Sequence, residues 1–154
     1  MRRRYSVEDI RQNFRLEGEE VYRTSSGKRV VPRDDGYTLV GFGPAKERIT
    51  IRLHVIKYAL AHGWIPHEVD HADGNPANGL LENLRAASHQ QNMRNRRPTP
   101  RDLPLGVARK RNRYRAYLDG KHLGTFKTVE EASSVVNNER DRRHGEFSSL
   151  RRPV

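Results

Sequence analysis

Four polar residues in the middle of the chain have types and spacings that suit the hydrolysis of a phosphodiester bond. Asp70 and His71 are adjacent, Asn83 follows twelve positions after His71, and Asn92 lies nine positions further on. A neutral imidazole is a suitable base for taking a proton from water near pH 7. A carboxylate and an amide carbonyl are hard oxygen ligands suited to Mg²⁺ or Mn²⁺, which would neutralise charge on the phosphate and on the departing oxygen.

A strand, a loop, a second strand and a helix are the elements expected to position these residues. Neighbouring residues on an ideal strand point to opposite faces, so Asp70 and His71 can share a site only where the strand bends. The turn-forming segment 73–76 supplies a reason for such a bend. Ser88 and Gln91 have the spacing of a capping box, which predicts a helix carrying Asn92 and stopping in the proline-containing region 98–100.

At these residues the chain resembles the HNH endonucleases, in particular the small homing-type enzymes common in phage genomes. The family pattern is an Asp-His pair, an Asp-Gly-Asn loop, an Asn-Leu-Arg tripeptide and a His or Asn on the following helix, and each part is present here. The resemblance implies a ββα-metal unit in which His71 is the general base. It implies that Asp70 and Asn92 hold one divalent metal, Mg²⁺ or else Mn²⁺, and that Asn83 positions the loop carrying His71.

The composition favours small modules that bind a polyanion. Only 34% of the 154 residues are hydrophobic and 32% are charged, so a single large core is not expected. The net charge of +11 indicates a nucleic-acid partner, although it would also fit a ribosomal or membrane-surface protein. The absence of cysteine excludes disulfides and Cys-ligated zinc. No apolar run approaches the roughly 20 residues of a membrane span, and the basic start lacks the apolar region of a secretory signal.

The charge is concentrated on both sides of the candidate catalytic segment. Residues 1–63 carry 13 basic and 8 acidic side chains, residues 64–97 carry 4 of each, and residues 98–154 carry 13 and 7. The flanks therefore have net charges of +5 and +6, and the middle is neutral. This distribution favours flanks that bind the nucleic-acid backbone and a middle that cuts it.

The N-terminal segment is predicted to be rich in short strands. A helix is expected to start at Ser6 and to run to about Arg15, with strands at 21–24, 37–42 and 49–51. An amphipathic helix over 53–60 should end at Gly63. His54, at the start of that helix, is interpreted as structural or DNA-facing rather than catalytic.

The C-terminal segment is predicted to form a three-stranded antiparallel sheet with one helix behind it. A Pro-rich linker is expected at 98–104, followed by strands at 105–112, 113–118 and 121–126. Asp119-Gly120 is a hairpin turn signal, and Thr128 with Glu131 predicts a capped helix that Gly145 ends.

This segment looks like an AP2-type DNA-binding domain, through the motifs Leu105-Gly106-Val107, Tyr114-Arg115-Ala116, Leu123-Gly124-Thr125-Phe126 and Glu130-Glu131-Ala132. The resemblance implies that the sheet lies in the DNA major groove. Strand alternation places several of the candidate contacts on one face, unless a bend near Asn112 changes the register. The candidate DNA-binding residues are Arg109, Arg111, Arg113, Arg115, Tyr117 and Lys121. Ala108 stands where plant-type domains have a base-reading Arg.

The predicted fold is therefore α+β, with a strand-rich DNA-contacting segment at 1–63, an HNH unit at 64–97, a linker at 98–104 and an AP2-like module at 105–148. The resemblances imply a metal-dependent homing endonuclease that acts on double-stranded DNA inside a bacterial host and leaves 5′-phosphate and 3′-hydroxyl ends. A non-catalytic DNA-binding protein with an HNH scaffold is the alternative, and RNA is a more distant substrate. No heptad or dimer surface is apparent in the sequence, which slightly favours a monomer.

Overall fold

The computed structural model describes residues 5–95 and 102–148, which form helices and small antiparallel sheets in an α+β arrangement. The predicted fold class is confirmed at this level. The chain divides into two compact units, Met1–Asn92 and Met93–Val154. Most of the predicted linker at 98–104, and the predicted helix stop at 98–100, lie outside the described residues.

The first unit consists of three two-stranded sheets and the helices that accompany them. In chain order its elements are α1 (Val7–Asn13), β1 (Phe14–Glu17), β2 (Glu20–Arg23), β3 (Leu39–Phe42), β4 (Ile49–Arg52), α2 (Leu53–His62), β5 (Glu68–His71), β6 (Leu84–Ala87) and α3 (His89–Asn95), whose last turn crosses the boundary between the units. The sheets are the antiparallel pairs β1–β2, β3–β4 and β5–β6.

The first helix begins where the sequence predicts and ends earlier. The Ser6 hydroxyl accepts from the Asp9 amide at 3.1 Å, and the Asp9 carboxylate accepts from the Ser6 amide at 2.7 Å, which completes a capping box. The helix ends at Asn13, and Phe14 takes an extended backbone. The predicted extension to Arg15 is wrong, because residues 14–17 form a strand that pairs with β2 and buries Phe14 in the core.

Apolar packing in the first unit is divided between two buried clusters rather than gathered in one core. The larger cluster contains Ile10, Phe14, Val21, Val40, Phe42, Ile51, Ile56 and Ala59. The smaller one contains Tyr58, Val69 and Leu84. The helix α2 contributes to both, and it ends at Gly63, whose left-handed φ of 76° lets its amide donate to the Ala59 carbonyl at 2.9 Å.

The second unit contains a three-stranded antiparallel sheet and a long helix. Its elements are β7 (Val107–Lys110), β8 (Arg113–Leu118), β9 (Lys121–Phe126) and α4 (Val129–His144), with the strand order β7-β8-β9. Asp119 and Gly120 both have positive φ, 50° and 77°, as a two-residue hairpin turn requires. The predicted capping box of Thr128 and Glu131 is present. No helix in residues 5–95 and 102–148 is long and apolar enough to cross a membrane.

The first hairpin of this sheet inverts the strand alternation that the sequence suggested. Arg111 has a left-handed φ of 54° in the turn, so Arg109 lies opposite Tyr114 and Lys110 lies opposite Arg113. Opposed residues on antiparallel strands share a face. The expectation that Arg109 shares a face with Arg113 is therefore wrong, because the turn near Asn112 shifts the register. The strand predicted at 105–112 is also shorter, and it covers 107–110 only.

Candidate active site

The β5–β6 hairpin places Asp70 and His71 at the end of a buried strand. Asp70 lies opposite Arg85 and His71 lies opposite Leu84, and both polar side chains are less than a tenth exposed. The bend that was expected to bring Asp70 and His71 to one face comes only after His71, where the Gly74 amide donates to the His71 carbonyl at 2.8 Å, and both residues still pair within the β5–β6 ladder. The chain therefore leaves the strand directly after the Asp-His pair.

Arg85 forms an ion pair with Asp70 that the sequence argument missed. The Asp70 Oδ2 atom accepts a hydrogen bond from Arg85 Nε at 2.9 Å, Arg85 Nη2 lies 2.9 Å from the same oxygen, and the carboxylate is only 5% exposed. The positive charge of Arg85 compensates the burial of this carboxylate. The signal was available, because the antiparallel pairing of β5 with β6 sets the Arg of the Asn-Leu-Arg tripeptide opposite Asp70.

His71 is held as a neutral imidazole beside a second buried histidine. The His54 ring meets the His71 ring edge-on with centroids 4.8 Å apart. Burial is the largest cause that lowers the pKa of His71; the carboxylates of Asp70 and Asp73 oppose it, and the Arg52 charge adds to it. Burial, then His71 and Arg52, lower the pKa of His54 to about 3. The burial of His54 agrees with the structural interpretation of this residue rather than the DNA-facing one.

Asn83 fastens the loop that follows His71. Its Oδ1 accepts from the Asp73 amide at 3.0 Å, and its Nδ2 donates to Asp73 Oδ1 at 3.1 Å and to the Asn78 carbonyl at 2.7 Å. Burial works to raise the pKa of Asp73, but hydrogen bonds from Asn75, Asn78 and Asn83 bring the pKa below its ordinary value. The loop 73–78 is thus closed around an ionised carboxylate with Asn83 at its centre.

Asn92 is bonded to a carboxylate that the sequence argument did not consider. Its side-chain amide donates to Glu68, which also lies 2.7 Å from His89 Nδ1. Burial works to raise the pKa of Glu68, and the hydrogen bonds from Asn92 and His89 lower it to below its ordinary value. Glu68 and Asp70 are alternate residues of β5, so they point to the same face of the strand. Asn92 and Asp70 are therefore on the same side of β5.

The chemistry of these two residues fits a hard divalent cation. Because Asn92 donates to Glu68 through its amide nitrogen, its carbonyl oxygen is the atom left to act as a ligand. Asp70 supplies a carboxylate that is paired with Arg85. No group of three or more His, Cys, Asp or Glu side chains within 5–95 and 102–148 is placed to hold a metal. Two oxygen ligands suit a cation such as Mg²⁺, which keeps several of its waters.

A cavity of about 230 Å³ borders His71 and His54, and a buried lysine forms part of its wall. The Lys57 ammonium donates to the Gly79 carbonyl at 2.6 Å and forms an ion pair with Glu19. This pairing is the main cause that lowers the pKa of Glu19, whose carboxylate also accepts from the Leu81 amide at 3.1 Å. The network fixes the segment 79–81 that leads into Asn83. No sequence signal indicated this role of Lys57, because the residue lies on α2 within an otherwise apolar stretch.

The candidate DNA-binding residues of the second unit lie on different parts of the sheet. Arg113, Arg115 and Tyr117 alternate along β8 and share a face, and an Arg115 nitrogen lies 3.4 Å from the Tyr117 hydroxyl. Lys110, which the sequence argument omitted, joins them through its pairing with Arg113. Arg109 lies on the opposite face, Arg111 is in the turn, and Lys121 pairs with Leu118 beside the second turn.

Comparison with known proteins connects this geometry to a family. Residues 52–94 match the HNH endonuclease family HNH_3, and this range contains all four candidate residues. Protein 3.8 of Escherichia phage T7 is 31% identical over 110 residues, which cover 65% of this chain and 90% of that protein. No solved structure matches the chain significantly. The chain therefore belongs to the same family as phage T7 protein 3.8, and its residues 52–94 form an HNH endonuclease domain.

Proposed function

We propose that this protein is a metal-dependent DNA endonuclease of the homing type. The observation that supports this most strongly is the buried imidazole of His71, whose pKa lies below its usual value and which follows the Arg85-paired Asp70 at the end of β5. Both residues lie in the segment that matches HNH endonucleases. A neutral imidazole near pH 7 can accept a proton, and an adjacent carboxylate can hold a cation.

His71 is the general base in this proposal. Its imidazole accepts the proton of the attacking water. The contact with the His54 ring and the turn at Gly74 fix the imidazole in one orientation. Because His54 is also neutral above about pH 3, it does not repel the imidazolium that forms at His71.

Asp70 and Asn92 hold one divalent cation, Mg²⁺ or Mn²⁺. When bound, such a cation neutralises charge on the scissile phosphate and on the departing oxygen. Arg85 orients the Asp70 carboxylate through their ion pair, and Glu68 fixes the Asn92 amide so that its carbonyl oxygen turns away from Glu68. Partners that orient a metal ligand in this way commonly affect metal affinity as much as the ligands do.

Asn83 acts on the reaction through the position of His71. It closes the loop 73–78, and the network of Lys57 and Glu19 fixes the segment before it. A displacement of this loop would move the imidazole relative to the phosphate, and small misplacements of reacting groups cost large factors in rate.

The flanking segments bind the DNA duplex in the proposed division of the chain, with 1–63 on one side, the catalytic unit at 64–97, a linker at 98–104 and the AP2-like module at 105–148. The exposed face of the second unit presents Lys110, Arg113, Arg115 and Tyr117, a cationic and aromatic set suited to phosphates and base edges. Arg111 and Lys121, beside the two turns, are assigned to phosphate contacts at the edges of this surface, and Arg109 is assigned a weaker contact from the opposite face. The expected products carry 5′-phosphate and 3′-hydroxyl ends.

A non-catalytic DNA-binding protein with an HNH scaffold is the second candidate. One observation favours it: Arg85 occupies an oxygen of Asp70, and Asn92 is engaged by Glu68, so both proposed metal ligands already have partners within the protein. In this case the chain would bind DNA through its basic surfaces without cutting it.

Incubation of supercoiled plasmid with the protein distinguishes the two candidates. The endonuclease should relax or linearise the plasmid with Mg²⁺ or Mn²⁺ and leave it intact with EDTA. DNA binding in a gel-shift assay, with no cleavage under either cation on phage or host DNA, would support the scaffold instead. Mapping of the cut positions then tests the homing assignment, which predicts one or few loci rather than scattered cuts.

A further inference from the structure

Arg52 is an exposed cation that directly precedes two residues of the cavity beside His71, Leu53 and His54. It is the last residue of β4 and directly precedes α2, whose second residue is His54. His54 in turn touches the His71 ring. Burial is the main cause that lowers the pKa of both imidazoles, and the positive charge of Arg52 contributes in each case. The guanidinium therefore acts electrostatically on the catalytic histidine while remaining accessible to a ligand.

The guanidinium is held in place by an aromatic ring rather than by a carboxylate. It lies over the ring of Tyr37, with 5.4 Å between the guanidinium carbon and the ring centroid, and this ring is itself 51% exposed. Within the two described ranges, no ion pair involves Arg52. A stacked guanidinium keeps its hydrogen-bond donors in a fixed plane, and such a plane matches two oxygens of a phosphate.

The segment that carries Tyr37 is anchored against the catalytic loop. Gly36 packs so closely on this loop that a Cβ at position 36 would lie 1.9 Å from the Pro76 carbonyl oxygen. The Leu53 amide donates to the Thr38 carbonyl at 2.9 Å. Gly36, Thr38 and Leu53 line the same cavity as His71. The pair of Arg52 and Tyr37 is thus fixed beside the candidate active site by contacts on both sides.

We propose that Arg52, stacked on Tyr37, binds a backbone phosphate of the DNA strand that is cleaved beside His71, within one or two nucleotides of the scissile bond. This inference rests on the proposed nuclease function and adds a phosphate-binding site to it. The arginine contributes positive charge and orientation at the cleavage position, whereas the basic face of the second unit binds elsewhere on the duplex.

The chain contains a matched control for this pair. Arg15 lies over the ring of Tyr22 at 5.3 Å, in the β1–β2 hairpin of the same unit. Arg15 is paired with Glu17 at 2.6 Å, and its charge, unlike that of Arg52, does not contribute to the lowered pKa of His54 or His71. Replacing Arg15 therefore removes the same charge and the same type of stacking away from the candidate site.

The first experiment measures binding without cleavage. Affinity for a short random-sequence DNA duplex is determined in EDTA over a range of salt concentrations for the wild type, Arg52→Ala and Arg15→Ala. The logarithm of the association constant falls linearly with the logarithm of the salt concentration, and loss of one phosphate contact lowers the magnitude of this slope by about 0.9. We expect this decrease for Arg52→Ala and no change for Arg15→Ala. Arg52→Lys should retain the slope, which separates a lost phosphate contact from damage to the fold.

The second experiment locates the contact on the DNA. The chain has no cysteine, so Arg52→Cys and Arg15→Cys each introduce a single thiol to which an iron chelate can be attached. Radical cleavage from position 52 should fall beside the bond that the wild type cuts with Mg²⁺, and cleavage from position 15 should fall elsewhere. An unchanged salt slope for Arg52→Ala, an equal decrease for Arg15→Ala, or radical cleavage far from the cut would overturn the assignment. A wild type that binds but never cuts refutes the nuclease function, whereas the salt slope still reports on Arg52.

Discussion

Truncation of Asn83 to Ala should loosen the loop that carries the catalytic residues. The side chain is 8% exposed and makes three hydrogen bonds, two of them with Asp73 and one with the Asn78 carbonyl. Two of these bonds join neutral groups, and the third joins the amide to the Asp73 carboxylate. A neutral hydrogen bond contributes a net value of about 1 kcal/mol to stability, and a bond to a charged group contributes about 2 kcal/mol. Because water can replace part of these bonds in this half-exposed loop, we expect Asn83→Ala to lower the free energy of unfolding by about 3 kcal/mol.

Urea unfolding followed by the fluorescence of Trp64 measures this loss in the first unit, because Trp64 is the only tryptophan of the chain. Asn75→Ala is the matched control, since Asn75 Oδ1 accepts one exposed hydrogen bond from the Ala77 amide at 3.1 Å and should cost about 0.5–1 kcal/mol. Hydrogen exchange at the Asp73 amide should accelerate in Asn83→Ala only. A loss below about 1 kcal/mol, or one equal to that of Asn75→Ala, would refute the interpretation of Asn83 as the residue that closes the loop.

Three further predictions address packing, pH and DNA binding. Gly36→Ala should destabilise the first unit by at least about 3 kcal/mol in urea unfolding, because the new Cβ clashes with the backbone at a position with a left-handed φ of 72°. Gly27 is the control, since it has a similar φ of 66° but no atom within 4 Å of the added Cβ, and Gly27→Ala should cost only about 1–2 kcal/mol. The pKa of His54 is about 3 in the folded protein and about 6.5 in the unfolded chain. Between these pH values only the unfolded chain protonates this imidazole, so the free energy of unfolding falls as the pH drops from 6.5 towards 3. His54→Phe should remove this dependence, which amounts to up to about 1.4 kcal/mol of unfolding free energy per pH unit. If the unfolding free energies of the wild type and the variant change equally with pH, the lowered pKa of His54 is contradicted. Lys110→Ala should lower the salt slope of DNA binding by about 0.9 and Arg109→Ala should lower it less; the reverse order would contradict the observed register.

Local signals in the sequence were sufficient to predict the ends of several elements. Ser6 with Asp9, Thr128 with Glu131, and the left-handed turn at Asp119-Gly120 each depend on side chains or backbone angles within a few residues. The extended conformation of Phe14 could not be predicted in this way, because it depends on pairing with β2 and on burial in a core assembled from distant segments.

The same distinction applies to the candidate site. The spacing of the HNH pattern identified the residues, but their partners come from contacts between strands, between a strand and a helix, and between a helix and a loop. Arg85 reaches Asp70 through the register of β5 and β6, Glu68 reaches Asn92 through the packing of α3, and Lys57 reaches the segment at 79–81 from α2. The position of Arg109 on the opposite face also could not be read from strand alternation, because the left-handed turn residue Arg111 changes the face of the β7 residues that precede it.

The rate of plasmid cleavage in Mg²⁺, compared between His71→Ala and His62→Ala, shows whether His71 is the general base. His62 lies on α2 of the same unit, stacks on Tyr58 and has no role in the proposed reaction, so its replacement controls for the loss of an imidazole. We expect His71→Ala to lose at least about 100-fold in rate, the usual contribution of a general base, with DNA affinity retained. His62→Ala should cleave at a rate close to that of the wild type. Equal cleavage rates for the wild type and His71→Ala would contradict the assignment of His71 as the base.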